Sequence, residues 1–274
     1  MPIKIALCQM NVIDDKKENI KKASLMIKES VAKNADFIVL PEMFNCPYSN
    51  DKFIEYCESE QDSPTLKEIS KLAKDNDVYI LAGSIPESEG DALYNTSFLF
   101  DKNGKIIGKH RKMHLFDIDV KDKITFKESD VLTAGDDFTI ADTEFGKIGI
   151  GICYDIRFPE LARIMVENGA LILFYPGAFN MTTGPAHWEL LFKSRALDNQ
   201  IFCVGVAPAL NSAASYHSYG HSIITNPWGE VVVEADEKEQ IIISEIDLNE
   251  LKKIREELPL LKNKREDLYE IKRK

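Results

Sequence analysis

The sequence predicts an α/β fold, a four-layer α-β-β-α sandwich of two similar mixed sheets, from two observations. Strand and helix patterns alternate along the 274 residues. Both halves also follow one order of strand, helix, strand, helix, strand and hairpin. Two sheets related by an internal pseudo-twofold, each covered by helices on one side, would then pack face to face. Because no low-complexity linker separates the halves, we expect residues 1–274 to form a single domain.

The first half of the chain begins with a short apolar run that is typical of a buried strand. A helix follows in which Ile20, Ala23, Ile27 and Val31 share one face. Later, Asn103-Gly104 between two apolar runs indicates a tight hairpin turn. Hydrophobic periodicity predicts, in chain order, a strand at 3–10, a helix at 16–34, a strand at 36–40, a helix at 64–76, a strand at 78–85 and a hairpin of 97–100 with 105–108.

The second half repeats this pattern around a glycine-spaced apolar run that ends at Cys153. The predicted elements are a strand at 148–153, a helix from 159, a strand at 171–175, a helix at 187–200, a strand at 201–207 and a hairpin of 222–225 with 230–234. Residues 248–274 are expected to form a C-terminal helix (248–257) and a polar arm. Such an arm is either a loose tail or a strap that contacts a partner subunit.

Composition narrows the class of protein and its location. The formal net charge of -11 argues against a nucleic acid or an anionic membrane as partner. The cysteines are scattered and form no C-x-x-C pair, which favours a reducing compartment and neither a disulfide framework nor a cysteine zinc site. No secretory or membrane-spanning segment is found in the sequence. We therefore expect a cytoplasmic protein.

Cys153 stands where a catalytic nucleophile would be presented. The apolar run before it predicts a buried strand, and Pro159 shortly after it predicts the start of a helix. At such a strand-to-helix turn, free backbone N–H groups favour a thiolate and can hold an oxyanion. The alternative is a buried structural cysteine, because a free cysteine packs like a small apolar residue.

Two further ionisable residues follow strands in the same way. Glu42 comes after a buried strand, where partial desolvation would raise its pKa towards that of a general base. Lys112 closes the first hairpin, and aimed at the same point it would offer positive charge to an oxyanion and favour the thiolate. Taken singly, each residue is better explained without catalysis, Glu42 as a helix cap and Lys112 as a solvated hairpin residue.

Three motifs together resemble the nitrilase superfamily of carbon–nitrogen hydrolases. They are Pro41-Glu42-Met43-Phe44, His110-Arg111-Lys112 and the stretch from Gly151 to Glu160. The resemblance implies that Glu42, Lys112 and Cys153 are catalytic, with Glu128 as a second glutamate that positions the nucleophile and the lysine. It also implies acyl transfer through a cysteine thioester, without a metal or an organic cofactor.

Within that superfamily the chain is most similar to the ω-amidase branch, through the stretches 109–120, 175–188, 195–200, 220–222 and 226–230. This similarity implies hydrolysis of the terminal amide of small dicarboxylic acid monoamides, such as α-ketoglutaramate and α-ketosuccinamate. Arg157 would bind the remote carboxylate, and the Tyr154 backbone N–H would help to hold the oxyanion. The similarity further implies that Tyr48, Phe179 and Thr183 complete the pocket. The expected partners are the small amide and further copies of the chain, in a homodimer or a higher homo-oligomer.

Several alternatives are open or excluded at this point. Gly149-Ile150-Gly151 is not a dinucleotide fingerprint, since Tyr154 occupies the third glycine position. His110 and His114 lack the glutamate and the helix that a zinc site of this spacing needs. Still open are a papain-like pair of Cys153 with His187 or His221, a structural ion pair of Arg157 with Asp155 or Glu160, and two related activities, on deaminated glutathione or on N-carbamoyl compounds. A non-enzymatic binding module on an inactive hydrolase fold is also open.

Overall fold

The computed structural model describes residues 2–122 and 124–273, so the first and last residues of the predicted domain lie outside it. The strands are β1 (Pro2–Gln9), β2 (Phe37–Val39), β3 (Tyr79–Leu81), β4 (Ile85–Glu89), β5 (Ala92–Phe100), β6 (Ile106–Arg111), β7 (Asp117–Val120), β8 (Ile124–Lys127), β9 (Thr139–Thr143), β10 (Gly146–Ile150), β11 (Ile172–Pro176), β12 (Phe202–Val206), β13 (Ile223–Thr225), β14 (Val231–Glu234) and β15 (Gln240–Asp247). The helices are α1 (Lys16–Ala32), α2 (Asn50–Tyr56), α3 (Pro64–Asn76), α4 (Pro159–Glu167), α5 (Gly184–Asn199) and α6 (Asn249–Glu257).

The strands form two large mixed sheets and a separate hairpin of β7 and β8. The first sheet has the order β15-β1-β2-β3-β5-β4, with β6 paired to β5, and the second has the order β14-β13-β12-β11-β10-β9. In each sheet three adjacent strands are parallel, namely β1 to β3 in the first and β10 to β12 in the second, and antiparallel strands flank them. This repeated arrangement confirms the predicted pair of similar mixed sheets.

The sheets pack face to face, and helices cover their outer faces. Phe37 of the first sheet stacks on Phe174 of the second with ring centroids 4.7 Å apart, inside one apolar cluster that draws on both sheets. A second cluster joins α1 and α3 to the first sheet, and a third joins α4 and α5 to the second. The four-layer α-β-β-α prediction is therefore confirmed.

The helix that matches its prediction to the residue is α3, because its ends carry local signals. The Ser63 hydroxyl accepts the Leu66 N–H at 2.9 Å, and Pro64 occupies the first turn. Asp77 then ends the helix in the left-handed conformation, with φ of 54°. Other predicted elements agree within a few residues at their ends.

The predicted strand at 78–85 is wrong in one respect, because the chain turns in its middle. A turn at Gly83 separates β3 from β4, with φ of 41° at the glycine. A Cβ atom there would lie 1.9 Å from the Pro41 carbonyl oxygen, so the turn approaches the segment next to Glu42 more closely than a side chain permits. Sequence periodicity also did not predict α2, β9, β15 or the β7–β8 hairpin.

The polar arm after α6 lies on its own subunit. Lys264 pairs with Glu167 of α4, and Arg273 Nη2 lies 3.0 Å from Asp137 Oδ2. The predicted contact of this arm with a partner subunit stays a prediction. None of the helices in the described ranges is long and apolar enough to span a bilayer.

Candidate active site

Cys153 lies on a sharp turn between β10 and α4. It is 4% exposed and takes φ of 47°, a left-handed conformation that side chains other than glycine rarely adopt. Because Gly151 has no side chain, the backbone that leads into Cys153 can pass close to Tyr175; a Cβ atom at Gly151 would lie 2.4 Å from the Tyr175 ring. A nucleophile on a strained strand-to-helix turn is the arrangement that hydrolases use to present a reactive side chain.

Glu42 lies in the loop after β2 and is fully buried. Its Oε1 atom accepts hydrogen bonds from Lys112 Nζ at 3.0 Å and from Asn95 Nδ2 at 2.9 Å. Its Oε2 atom accepts the Ala178 backbone N–H at 2.7 Å, and the carboxylate also interacts with the Cys153 side chain. Burial raises the pKa of Glu42, and the charge of Lys112 opposes that rise. The predicted desolvation of this carboxylate is therefore confirmed.

Lys112 bridges two buried carboxylates. Besides Glu42, its Nζ atom donates to Glu128 Oε1 at 2.8 Å. Glu128 also accepts the Tyr48 hydroxyl at 2.7 Å and the Phe116 N–H at 2.6 Å. Burial by itself lowers the pKa of Lys112, but the charges of Glu128 and Glu42 outweigh burial and hold that pKa well above its ordinary value. The structure therefore brings the predicted Glu42, Lys112, Glu128 and Cys153 together around one charged ammonium.

The surroundings of Cys153 favour the protonated form of its thiol. Burial is the largest cause that raises the pKa of its thiol well above the ordinary value, the charge of Glu42 raises it further, and Lys112 opposes both. Burial and the Glu42 charge therefore oppose the thiolate that Lys112 favours, and a neutral thiol lies beside a carboxylate, as a mechanism in which Glu42 removes the proton requires. Such a pair needs a base to form the nucleophile, and Glu42 is in contact to act as that base.

Asp155 ties the segment that carries Lys112 to the segment that carries Cys153. Its Oδ2 atom lies 3.0 Å from His110 Nε2 and accepts the Ile152 N–H at 2.9 Å. Its Oδ1 atom accepts the His114 N–H at 3.0 Å and lies 2.8 Å from His114 Nδ1. Burial raises the pKa of Asp155, but the bonds from His110 and His114 outweigh it and leave that pKa below the usual range. Sequence reasoning missed this role, although both histidines flank the lysine.

Arg157 forms neither of the ion pairs considered from sequence. Its guanidinium lies over the Phe179 ring at 4.7 Å and the Tyr154 ring at 5.6 Å. Its Nη1 atom lies 3.2 Å from His187 Nδ1. Within the described residues no carboxylate lies within ion-pair distance of Arg157, and its Nε atom is buried without a hydrogen-bond partner. The guanidinium is thus oriented by aromatic rings and available to an anion.

The chain matches the family model described as carbon–nitrogen hydrolase over residues 4–256. It belongs to the carbon–nitrogen hydrolase family. It is 51% identical to a chloroplastic omega-amidase of Arabidopsis thaliana over 97% of this chain and 73% of that protein. It is 46% identical to the omega-amidase NIT2 of Homo sapiens over 99% of this chain and 98% of that protein. The crystal structure of Saccharomyces cerevisiae Nit3, a member of branch 10 of the nitrilase superfamily, superposes with a TM-score of 0.89 at 42% identity over 96% of this chain and 97% of that one.

The other four residues that the family resemblance placed in the substrate pocket lie in three different surroundings. Tyr48 contacts Glu128 directly, while Tyr154 and Phe179 flank the Arg157 guanidinium. Thr183 is buried at the N-cap of α5, and its hydroxyl lies 3.4 Å from Asn180 Oδ1. Their roles towards a substrate of this carbon–nitrogen hydrolase stay predictions.

A cavity of about 480 Å³ opens next to the base. Its lining includes Glu42, Tyr48, Ala178 and Tyr216, whereas Cys153 is not part of it. Tyr216 was not singled out from the sequence, yet its ring packs against Tyr48 with centroids 4.5 Å apart. The two tyrosines therefore form part of the cavity wall beside Glu42.

Neither candidate histidine of a papain-like pair contacts Cys153. His187 Nδ1 faces Arg157, and His221 Nδ1 lies 2.8 Å from the Tyr219 carbonyl oxygen. The contact that Cys153 makes with a base is with the carboxylate of Glu42. Across residues 2–122 and 124–273, no three His, Cys, Asp or Glu side chains are placed to hold a metal ion.

Proposed function

We propose that this carbon–nitrogen hydrolase acts as an ω-amidase, which releases ammonia from the terminal amide of small dicarboxylic acid monoamides such as α-ketoglutaramate and α-ketosuccinamate. The observation that carries the proposal is the Arg157 guanidinium four residues beyond the nucleophile, which lies over aromatic rings and has no carboxylate of the described residues within ion-pair distance. A planar cation held this way suits a carboxylate at the far end of a short substrate. Relatives named omega-amidase, 46% and 51% identical over nearly the whole chain, agree with this choice.

The first step forms a covalent bond between enzyme and substrate. Glu42 takes the proton from the Cys153 thiol, and the sulfur bonds to the amide carbon while the carbonyl electrons move to its oxygen. The Lys112 ammonium and the Tyr154 backbone N–H stabilise that oxyanion. Because Lys112 also contacts Glu42 and Glu128, its charge stays fixed while the proton moves.

The second step releases ammonia and restores the enzyme. Glu42 returns its proton to the amide nitrogen, the C–N bond breaks, and a thioester is left on Cys153. Glu42 then deprotonates a water molecule, whose oxygen bonds to the thioester carbon. The C–S bond breaks as Glu42 returns that proton to the sulfur, which leaves the free thiol and the dicarboxylic acid, and the new acid group ionises in solution. The carboxylate therefore acts as base, acid, base and acid in turn, a role that suits the pKa raised by burial.

An ammonia-release screen tests the function. The panel contains α-ketoglutaramate and succinamate, neutral amides of similar length, N-carbamoyl compounds, nitriles and deaminated glutathione, with Cys153→Ala as the blank. We expect the highest kcat/KM for the two ω-amides. A preference for deaminated glutathione or N-carbamoyl compounds would transfer the chain to one of those activities. No turnover and no acyl-enzyme mass would favour a binding module.

We also propose a cytoplasmic enzyme that assembles as a homodimer or a larger homo-oligomer. All five cysteines are free, as a reducing compartment would keep them. Exposed apolar side chains at Leu190, Leu197 and Trp228 support assembly, with exposures of 62%, 40% and 49%. Light scattering on the purified protein measures the mass, and a monomer at micromolar concentration would contradict the assembly.

A further inference from the structure

Tyr216 is hydrogen-bonded to Ala178, and Ala178 is hydrogen-bonded to the catalytic base, Glu42. Tyr216 lies in the loop between β12 and β13, and its hydroxyl donates to the Ala178 carbonyl oxygen at 2.5 Å. The N–H of the same Ala178 donates to Glu42 Oε2 at 2.7 Å. One loop residue is therefore connected to the catalytic carboxylate through a single intervening residue.

Ala178 needs such a support because it lies beyond the ladder of the second sheet. The last ladder-like bond of this segment joins the Gly177 N–H to the Val206 carbonyl at 2.9 Å, and Ala178 follows it in a buried loop. The loop of Tyr216 makes two ties to the segment, through the tyrosine hydroxyl and through the Tyr219 N–H, which donates to the Phe179 carbonyl at 2.7 Å. A buried carbonyl group that loses its hydrogen-bond donor destabilises the folded protein. Removal of the Tyr216 hydroxyl would therefore displace the segment that contains Ala178.

The ring of Tyr216 makes a second connection to the site, through Tyr48. It packs on Tyr48 with centroids 4.5 Å apart and an interplanar angle of 31°. Tyr48 in turn donates to Glu128 Oε1 at 2.7 Å, and its hydroxyl lies 3.4 Å from Glu42 Oε1. Tyr216 thus reaches one oxygen of Glu42 through Ala178 and the other through Tyr48.

We propose that Tyr216 is a positioning residue that aims the Glu42 carboxylate at the Cys153 thiol through the Ala178 backbone. The inference rests on the amidase function proposed above. A hydrogen bond from a backbone N–H to a carboxylate favours the charged form of that carboxylate. If the Ala178 N–H moves away from Glu42, burial acts on the carboxylate with less opposition and the pKa of Glu42 rises. The base is then protonated at a higher pH, and fewer molecules can activate the thiol.

Tyr216→Phe tests the inference because it keeps the ring and removes the hydroxyl. The matched control is Tyr219→Phe in the same loop, whose ring stacks on His221 and whose hydroxyl has no hydrogen bond within the described residues. We expect Tyr216→Phe to lower kcat by about tenfold with little change in KM, and to move the acid limb of the pH profile of kcat/KM up by about half a unit. Tyr219→Phe should keep both within about twofold of wild type.

A second measurement does not depend on amidase turnover. The rate at which iodoacetamide alkylates Cys153, followed by mass spectrometry of its peptide, reports how readily the thiol loses its proton. We expect its pH dependence to shift in Tyr216→Phe and not in Tyr219→Phe. Unchanged kinetics and alkylation in Tyr216→Phe would overturn the inference, as would a loss of kcat without any shift in pH dependence. If wild type hydrolyses none of the amides while the alkylation shift persists, the proposed function fails and the positioning role stands.

Discussion

At the catalytic turn, Cys153 keeps its proton until a base removes it. Burial and the charge of the neighbouring Glu42 raise the pKa of the Cys153 thiol. Hydrogen bonds from Lys112, Asn95 and Ala178 hold the Glu42 carboxylate beside that thiol. The reactive species therefore forms within the pair as the proton passes from sulfur to oxygen. This differs from enzymes in which a cysteine rests as a thiolate beside a histidine.

A carboxylate base can be separated from a histidine base by substitution. Glu42→Gln keeps the shape of the side chain and removes its basicity, so we expect kcat to fall on the order of 10²-fold or more. His187→Asn and His221→Asn should lose far less, since neither ring contacts the nucleophile. The steady-state rate of ammonia release gives kcat for the three variants, and Cys153→Ala measures the background rate without the nucleophile. The reverse ranking would return the papain-like pair to consideration.

The pH dependence of the reaction follows from the raised pKa of Glu42. The base acts only when it is deprotonated, so kcat/KM should be full above that pKa and fall about tenfold per unit below it. Because burial raises the pKa from the ordinary value of 4.5, the midpoint of the acid limb should lie above that value. A profile measured from about pH 4 to about pH 9 gives the midpoint. A midpoint at or below the ordinary value would show that Lys112 outweighs burial.

Selectivity for a charged substrate rests on Arg157. A buried carboxylate–guanidinium pair is worth roughly 2–5 kcal/mol by truncation, or about 30- to several-thousand-fold in kcat/KM. Arg157→Met should therefore cripple hydrolysis of α-ketoglutaramate or succinamate and affect a neutral amide of similar length far less. Arg157→Lys should restore only part of the loss, because an ammonium lacks the two-pronged geometry. Equal losses for charged and neutral amides would show that Arg157 supports the fold around the turn and not the substrate.

At the scale of elements, the site depends on how two strand ends are fastened together. Asp155 fastens them, through bonds to the His110 and His114 rings and to two backbone N–H groups. Asp155→Asn leaves one acceptor oxygen where there were two, so at least one of these buried donors loses its partner. Each lost charge-assisted bond costs on the order of 1.5–3 kcal/mol. We expect lower stability to urea and a lower kcat.

The exposed Glu160 provides the control for Asp155, since it lies on the next helical turn. Glu160→Gln should change neither the urea midpoint nor kcat beyond experimental error. The pH dependence of unfolding adds a second check. Since the pKa of Asp155 is lowered in the folded protein, its contribution is present above about pH 4 and is lost as the pH falls through the folded value. If Asp155→Asn retains the acid sensitivity of wild type, other carboxylates account for it.

Local signals decided which parts of this architecture could be predicted. α3 was predicted to the residue from its proline and periodicity. Cys153, Glu42 and Lys112 were candidates because each follows a strand, and the resemblance to the nitrilase superfamily gave them catalytic roles. The groups that complete the site could not be found this way. Ala178 and Glu42 are separated by 136 positions, and the turn at Gly83 and the edge strand β15 depend equally on partners far along the chain.

For the whole molecule, the two sheets are inseparable because each supplies part of the site. Glu42 and Lys112 follow β2 and β6 of the first sheet, whereas Cys153 and Ala178 follow β10 and β11 of the second. The shared apolar layer that includes Phe37 and Phe174 sets the distance between these loops. Each half on its own would expose that layer and hold only part of the charged cluster, so the internal repeat does not yield two independent units.

The C-terminal arm offers a test at this largest scale. Its contacts with the subunit body are the half-buried ion pair of Lys264 with Glu167, the exposed ion pair of Arg273 with Asp137, and the packing of Leu261 against the apolar cluster of α4 and α5. Removal of residues 259–274 should lower Tm by several degrees and, because none of these groups lies at the catalytic site, leave kcat within about twofold of wild type. If the arm straps a partner subunit, light scattering should show that the truncated protein has a lower mass than the full chain. The double variant Lys264→Ala/Arg273→Ala controls for the lost ion pairs alone. An unchanged mass after truncation would show that the arm belongs to its own subunit and that assembly uses another surface.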